Sequence, residues 1–200
     1  MTVQEEIDGS FEFGQKLENL VVSKGSVTLG QAGDRERLLL AHWSLALDLD
    51  KSILALMRHQ FYGGAFALLR PIVEAQIRAH VVLMGSDEDV TKIKDDKYNV
   101  NFKAIGGEID TVFGLDGFFE KFLNEATGTL HSFTHSGLSQ LGRRFKRNDL
   151  VAHYEDGEII EVIRISSTAV FMVTNLVAKY FKFVDEGKKV NELFVEWGKH

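Results

Sequence analysis

Residues 34–58 read DRERLLLAHWSLALDLDKSILALMR, and this stretch decides the fold. No Gly or Pro interrupts it, and the strong helix formers Leu and Ala fill it. Leu38, Leu39, Ala41, Leu45, Ala46, Leu49, Ile53, Leu56 and Met57 recur at helical spacing. Asp48, Asp50 and Lys51 cluster on the other side, and Asp34 reads as the N-cap. The spacing predicts one long amphipathic helix.

Helical periodicity continues outward from it. Ile7, Phe11, Phe13, Leu17, Leu20 and Val21 form a looser stripe broken by Gly9 and Gly14, and residues 24–33 read as a loop. Residues 65–84 are apolar almost all round, as befits a helix at the centre of a bundle. Pro71 lies in that run and either kinks the helix or opens a fresh one. Asp87, Glu88 and Asp89 start a short helix, and 87–116 reads as short helices and loops. Phe118 to His131 is a further helix, and 146–157 reads as loop. Residues 158–184 keep a helical period over about seven turns. Val190, Leu193, Phe194 and Trp197 mark a short last helix.

The expected architecture is therefore all-α. It is a single domain over residues 1–200, a bundle of about four long helices with short satellite helices. The core is expected at about 34–184, with the N- and C-terminal helices peripheral.

Composition narrows the functional classes. The chain has 200 residues, 44% hydrophobic, which is enough for one real core. Acidic residues outnumber basic ones by 29 to 23, so bulk charge is not that of a nucleic-acid binder. There is no cysteine, which excludes disulfides, thiolate metal sites and thiol catalysis. The N-terminus lacks a secretory pattern. The charge-free run from Ile165 to Ala178 is shorter than the roughly 18–20 residues of a bilayer span. The expectation is a cytoplasmic protein without membrane association. No phosphate-binding glycine loop, dinucleotide fingerprint or nucleophile elbow is present. The 15 Phe fall at core spacing and read as packing.

Three constellations carry potential chemistry. Arg70, Glu74 and Arg78 share one helix face at i, i+4 and i+8, as a structural ion-pair ladder or as the lining of an anion-binding cavity. His131 and His135 share the face of the next motif, Leu130-His131-Ser132-Phe133-Thr134-His135-Ser136-Gly137. They read as a satisfied helix end, as an acid–base pair or, less consistently with the pattern, as metal ligands. The second motif position is Ser132 rather than Glu, and no Glu-x-x-His occurs, so neither a zincin nor a di-iron bundle fits; no metal or cofactor is expected. Arg143, Arg144, Lys146 and Arg147 follow as a local inversion of charge, either a phosphate contact or a solvated, salt-bridged loop.

Arg147 and His153 are spaced as Arg-x5-His, which resembles the Arg-x4–6-His signature of HEPN ribonucleases over seven residues. That family comprises small all-α bundles that commonly dimerise and cleave RNA without metal. The resemblance implies His153 as acid or base and Arg147 on the phosphate. The family carries the motif on a helix, whereas 147–153 reads here as loop between Gly142 and Gly157. A broader resemblance spans roughly residues 34–184. The stretches 67–74, 130–137 and 140–144 resemble a group of uncharacterised bacterial helical proteins with a Leu-His-Ser-x-Thr-His-x-Gly motif. This likeness implies a polar centre at Arg70, Glu74, His135 and Arg143 or Arg144.

Two functions follow as expectations. One is a HEPN-like protein acting on RNA, a metal-independent endoribonuclease or RNA-binding toxin or defence effector. In it His135, with His131 and His153, moves protons, and Arg143, Arg144 or Arg147 holds phosphate. The other is a non-catalytic, dimeric interaction module whose polar residues form an internal network. The expected partners are a second copy of the chain, RNA, or a protein such as an antitoxin.

Overall fold

A computed structural model of the chain describes residues 1–24, 32–146 and 149–199. Helices α1 (Val3–Val22), α2 (Asp34–Arg58), α3 (Tyr62–Met84) and α8 (Asp156–Tyr180) form the packed centre. Helices α4 (Asp87–Lys94), α5 (Phe102–Phe113) and α6 (Phe118–Thr134) follow α3 in the chain. The short α7 (Leu138–Leu141) and a 3₁₀ turn lead into a minimal hairpin, and α9 (Val184–Trp197) closes the chain. The all-α expectation holds. The hairpin is an addition within a segment expected to be loop: β1 (Phe145–Lys146) and β2 (Asp149–Leu150) pair antiparallel, Phe145 opposite Leu150.

The helix ends explain the boundaries. Thr2 caps α1 by accepting from the Glu5 backbone N–H at 3.2 Å, while Glu5 accepts from Thr2 at 2.7 Å. Gly33, not Asp34, is the N-cap of α2, and its N–H donates to Glu36 at 2.5 Å. Helix α3 starts at Tyr62, three residues before the expected point, and runs through Pro71 without a break. Proline inside a helix costs about 3 kcal/mol through its missing donor and ring clash. Burial of Phe66, Leu69, Ile72 and Val73 around it offsets that cost. Helix α8 stops at Tyr180 rather than 184, because Lys182 takes a left-handed φ of 57°.

Helix α1 belongs to the core rather than the periphery. Ile7, Phe13 and Leu17 are buried, and α1 packs on α8, α2 and α9. Gly14, read from sequence as a break, is where α1 passes Asp50 of α2: a Cβ there would lie 3.5 Å from the Asp50 carboxylate. Helix α9 docks through aromatic faces, with Phe13 stacked on Trp197 at 4.9 Å and Phe171 on Phe194 at 3.9 Å. Trp197 also donates to Ser10 at 3.2 Å.

Helix α8 is long and apolar enough to cross a bilayer, and here two-thirds of its most apolar window is buried in the bundle. Its neighbours α1, α2, α3 and α9 cover it. Helices α5 and α6 form a hairpin laid against α3. Asp110 of α5 fixes it by accepting from the Phe119 and Glu120 N–H groups at 2.8 and 2.9 Å, which satisfies the free N-terminus of α6. That arrangement brings the end of α6 to the middle of α3.

Candidate functional site

The motif at 130–137 is the C-terminal end of α6. Leu130 and Phe133 face the core. Thr134 donates to the Leu130 carbonyl at 3.0 Å. His135 is the C-cap, and Ser136 turns left-handed at φ 53°. The Gly137 N–H then donates to the Ser132 carbonyl at 2.6 Å, closing a Schellman turn. Ser132 Oγ accepts from the Ser139 N–H at 2.9 Å, which anchors α7. A Cβ on Gly137 would lie 2.5 Å from Ser132 Oγ, so glycine is needed there for close approach. The six motif residues other than the histidines are thus accounted for by the turn and the core beneath it.

The two histidines point outward from this turn. Both are exposed, and their rings lie side by side with centroids 4.4 Å apart. Arg70 of α3 meets them: its Nη1 lies 2.6 Å from His131 Nδ1. Its Nε donates to Glu74 at 2.7 Å, and its guanidinium lies over the Phe102 ring at 5.7 Å. Glu74, Arg70, His131 and His135 therefore form a continuous polar row across the α3/α6 seam. The side chains of Arg70 and Glu74 are about one-quarter exposed. Arg78 does not complete the expected ladder. It turns to Asp96 at 3.9 Å and lies near His42.

The basic cluster divides. Arg143 is turned inward, with Glu158 accepting from its Nη2 and, at 3.4 Å, from Nε, while its Nη1 donates to the Ser139 carbonyl at 2.5 Å. It also lies over the rings of Phe133 at 4.9 Å and Phe66 at 5.6 Å. Its charge is thus matched by a carboxylate from α8. Arg144 is exposed and reaches over Gly63, beside Gln140 and Tyr154. Gln140 donates to the Gly63 carbonyl at 2.8 Å. Arg147 lies outside the described residues. His153 lies in loop, as expected, and its N–H donates to the Arg143 carbonyl at 2.7 Å.

Sequence reasoning missed two polar features. Glu158 stands at the start of the last long periodic stretch, but its pairing with Arg143 joins residues 15 positions apart and is not visible in a local pattern. The bundle interior also holds ionisable groups. His80 and Gln76 are 1% exposed, and among the described residues neither side chain has a hydrogen-bond partner; the same holds for the ring of His42. Burial pushes His42 and His80 down to about 4, with the charges of Arg78 and Lys179 adding to the effect. Burial pushes the Asp50 carboxyl up to about 6, against the hydrogen bonds from Ser166 and Ser167 and the nearby Lys51 charge.

Among the described residues, no three His, Cys, Asp or Glu side chains converge to hold a metal. The exposed row instead offers two imidazoles and a guanidinium, a set suited to moving protons beside an anion. A protein-family model matches residues 43–197, and its description is a family of unknown function, DUF6988. No match was found among curated proteins or among solved structures.

Proposed function

Starting from a chain that belongs to a family of unknown function, DUF6988, we propose that it acts on RNA as a metal-independent endoribonuclease. In this reading it is HEPN-like in make-up and serves as a toxin or defence effector. The observation that supports this reading most is the exposed row in which Arg70 contacts His131 and His131 neighbours His135.

The chemistry follows from the donors and acceptors. Arginine has no acceptor, so His131 Nδ1 accepts from Arg70 and Nε2 carries the ring proton. His131 then offers an N–H to a phosphate oxygen, and Arg70 adds positive charge beside it. His135, with no arginine on its ring among the described residues, is the base. It takes the proton of the ribose 2′-OH, and the 2′-oxygen forms its bond to phosphorus. The bond to the 5′-oxygen breaks, and that oxygen takes a proton from water. The products are a 2′,3′-cyclic phosphate and a 5′-OH. Arg144, exposed on the neighbouring turn, guides the RNA backbone. In this assignment Arg143 has a positioning role.

Cleavage of mixed single-stranded RNA in EDTA tests this. The wild type is expected to yield cyclic phosphate ends. A folded His135→Ala variant should lose about 10²–10⁴-fold in rate, as general-base removal does. His153→Ala should stay near wild type. Absence of cleavage by the wild type, or full activity of both His135→Ala and His131→Ala, would overturn the assignment.

A second reading is a non-catalytic interaction module. It draws on five exposed apolar side chains in one short segment: Leu138, Leu141, Phe145, Leu150 and Val151. Grouped apolar exposure of this kind marks contact surfaces. Light scattering separates the readings. If Leu138→Asp and Phe145→Asp turn an oligomer into a monomer while RNA stays intact with the wild type, the interaction module stands.

A further inference from the structure

A cleft of about 250 Å³ opens between α3, α6 and the first half of α8, apart from the histidine row. Phe66 and Leu69 form its floor, Phe122 and Leu130 one wall, and Val162 and Ile165 the other. Its polar groups are one-sided. Glu125, Glu158 and Glu161 line it against a single cation, Arg143. Arg143 is already paired with Glu158. Among the described residues Glu125 pairs only with Lys121, at 4.0 Å, with both side chains at least 70% exposed, and such a pair holds little. Glu161 makes no ion pair among the described residues. Two carboxylates, one from α6 and one from α8, are therefore left over an apolar pocket.

We propose that this cleft binds a small organic cation: an ammonium group joined to an apolar body. The body fits the walls, where leaving water is favourable by about 25 cal/mol per Å². The ammonium fits between Glu125 and Glu161. An anion of the same shape would meet three carboxylates and, among the described residues that line the cleft, no free cation. A bare inorganic cation would keep its water and gain nothing from the apolar floor and walls. The volume lies below the roughly 300–1,000 Å³ of pockets for drug-sized ligands, which points to a fragment-sized body. This inference does not rest on the ribonuclease reading.

Three probes with the same phenylethyl body test it: 2-phenylethylammonium, 2-phenylethanol and 3-phenylpropionate, titrated into the full chain and followed by amide chemical shifts. The ammonium is expected to bind about ten-fold more tightly than the alcohol, with shifts at residues 122–130 and 158–165, and the carboxylate not to bind. Glu125→Gln and Glu161→Gln should each weaken the ammonium about three-fold or more and leave the alcohol unchanged. Ala126→Phe, on the wall of the cleft, should abolish binding of both. Equal affinity for ammonium and alcohol would overturn the proposal. So would indifference to both Gln variants, or no saturable shift up to about 10 mM ammonium.

Discussion

Arg70 donates from Nη1 to Nδ1 of His131 across 2.6 Å, while its Nε is held by Glu74 at 2.7 Å. One guanidinium thereby joins α3 to the end of α6 and fixes which imidazole nitrogen carries the proton. In the neutral ring, ¹⁵N spectra of the imidazoles should show the His131 proton on Nε2. Arg70→Gln offers an acceptor as well as a donor and should return the ring to a mixture of tautomers. An unchanged spectrum in that variant would mean that the contact does not hold the ring in solution.

The turn that carries His135 depends on its small residues. In Gly137→Ala the new Cβ would press on Ser132, at 2.5 Å from its Oγ and 3.1 Å from its Cα. Backbone is involved, so relief requires opening the turn, and a loss of about 1–3 kcal/mol is expected in urea unfolding. Ser136 shows the reverse case. It holds φ 53°, a conformation that costs a non-glycine residue about 1–2 kcal/mol, so Ser136→Gly should be neutral or stabilising by up to about 1 kcal/mol. Should Gly137→Ala unfold at the same urea concentration as wild type, the close approach is not rigid.

How much of this was legible in the sequence depends on whether a contact is local. The stripe from Leu38 to Met57 repeats every turn, so α2 could be read directly. The i, i+4 spacing of Arg70 and Glu74 also gave their pair. Arg78 obeys the same spacing, yet Asp96, 18 positions on, takes it, because α4 folds back beside α3. Arg143 and Glu158 meet only because α7 and the hairpin reverse the chain between them. The hairpin was missed because two-residue strands carry too few side chains to show alternation. Helix α1 was underrated because Gly9 and Gly14 dilute its stripe, although Gly14 marks its approach to α2.

Arg143 and Glu158 should act as a coupled pair. Their side chains are 22% and 35% exposed, and the guanidinium also covers Phe66 and Phe133. Removing the carboxylate leaves a partly desolvated cation, and removing the arginine also uncovers the rings. Arg143→Met and Glu158→Gln should each cost about 1–3 kcal/mol, with the double variant less destabilised than their sum. Strict additivity in the double-mutant cycle would show that the two side chains do not interact in solution.

The interior histidines set a pH dependence of stability that Asp50 opposes. In the unfolded chain His42 and His80 titrate near 6.5 and Asp50 near 3.8; folded, the histidines are pushed down to about 4 and Asp50 up to about 6. Near pH 5 the unfolded chain holds two imidazole protons and none on Asp50. The folded chain holds one on Asp50 and none on the imidazoles. Unfolding therefore takes up a net proton. The three groups make stability fall as pH drops from 6.5 towards 4, by about 1.4 kcal/mol per pH unit at most. His80→Leu removes one imidazole from the unfolded side and should flatten that slope. Asp50→Asn removes the opposing group and should steepen it to about twice the value. Urea unfolding of the wild type and both variants at several pH values between 4.5 and 6.5 reads the difference directly, since the other carboxylates contribute equally to all three. Parallel slopes in the wild type and His80→Leu would mean that His80 is hydrated or partnered in solution and titrates as it does in the unfolded chain.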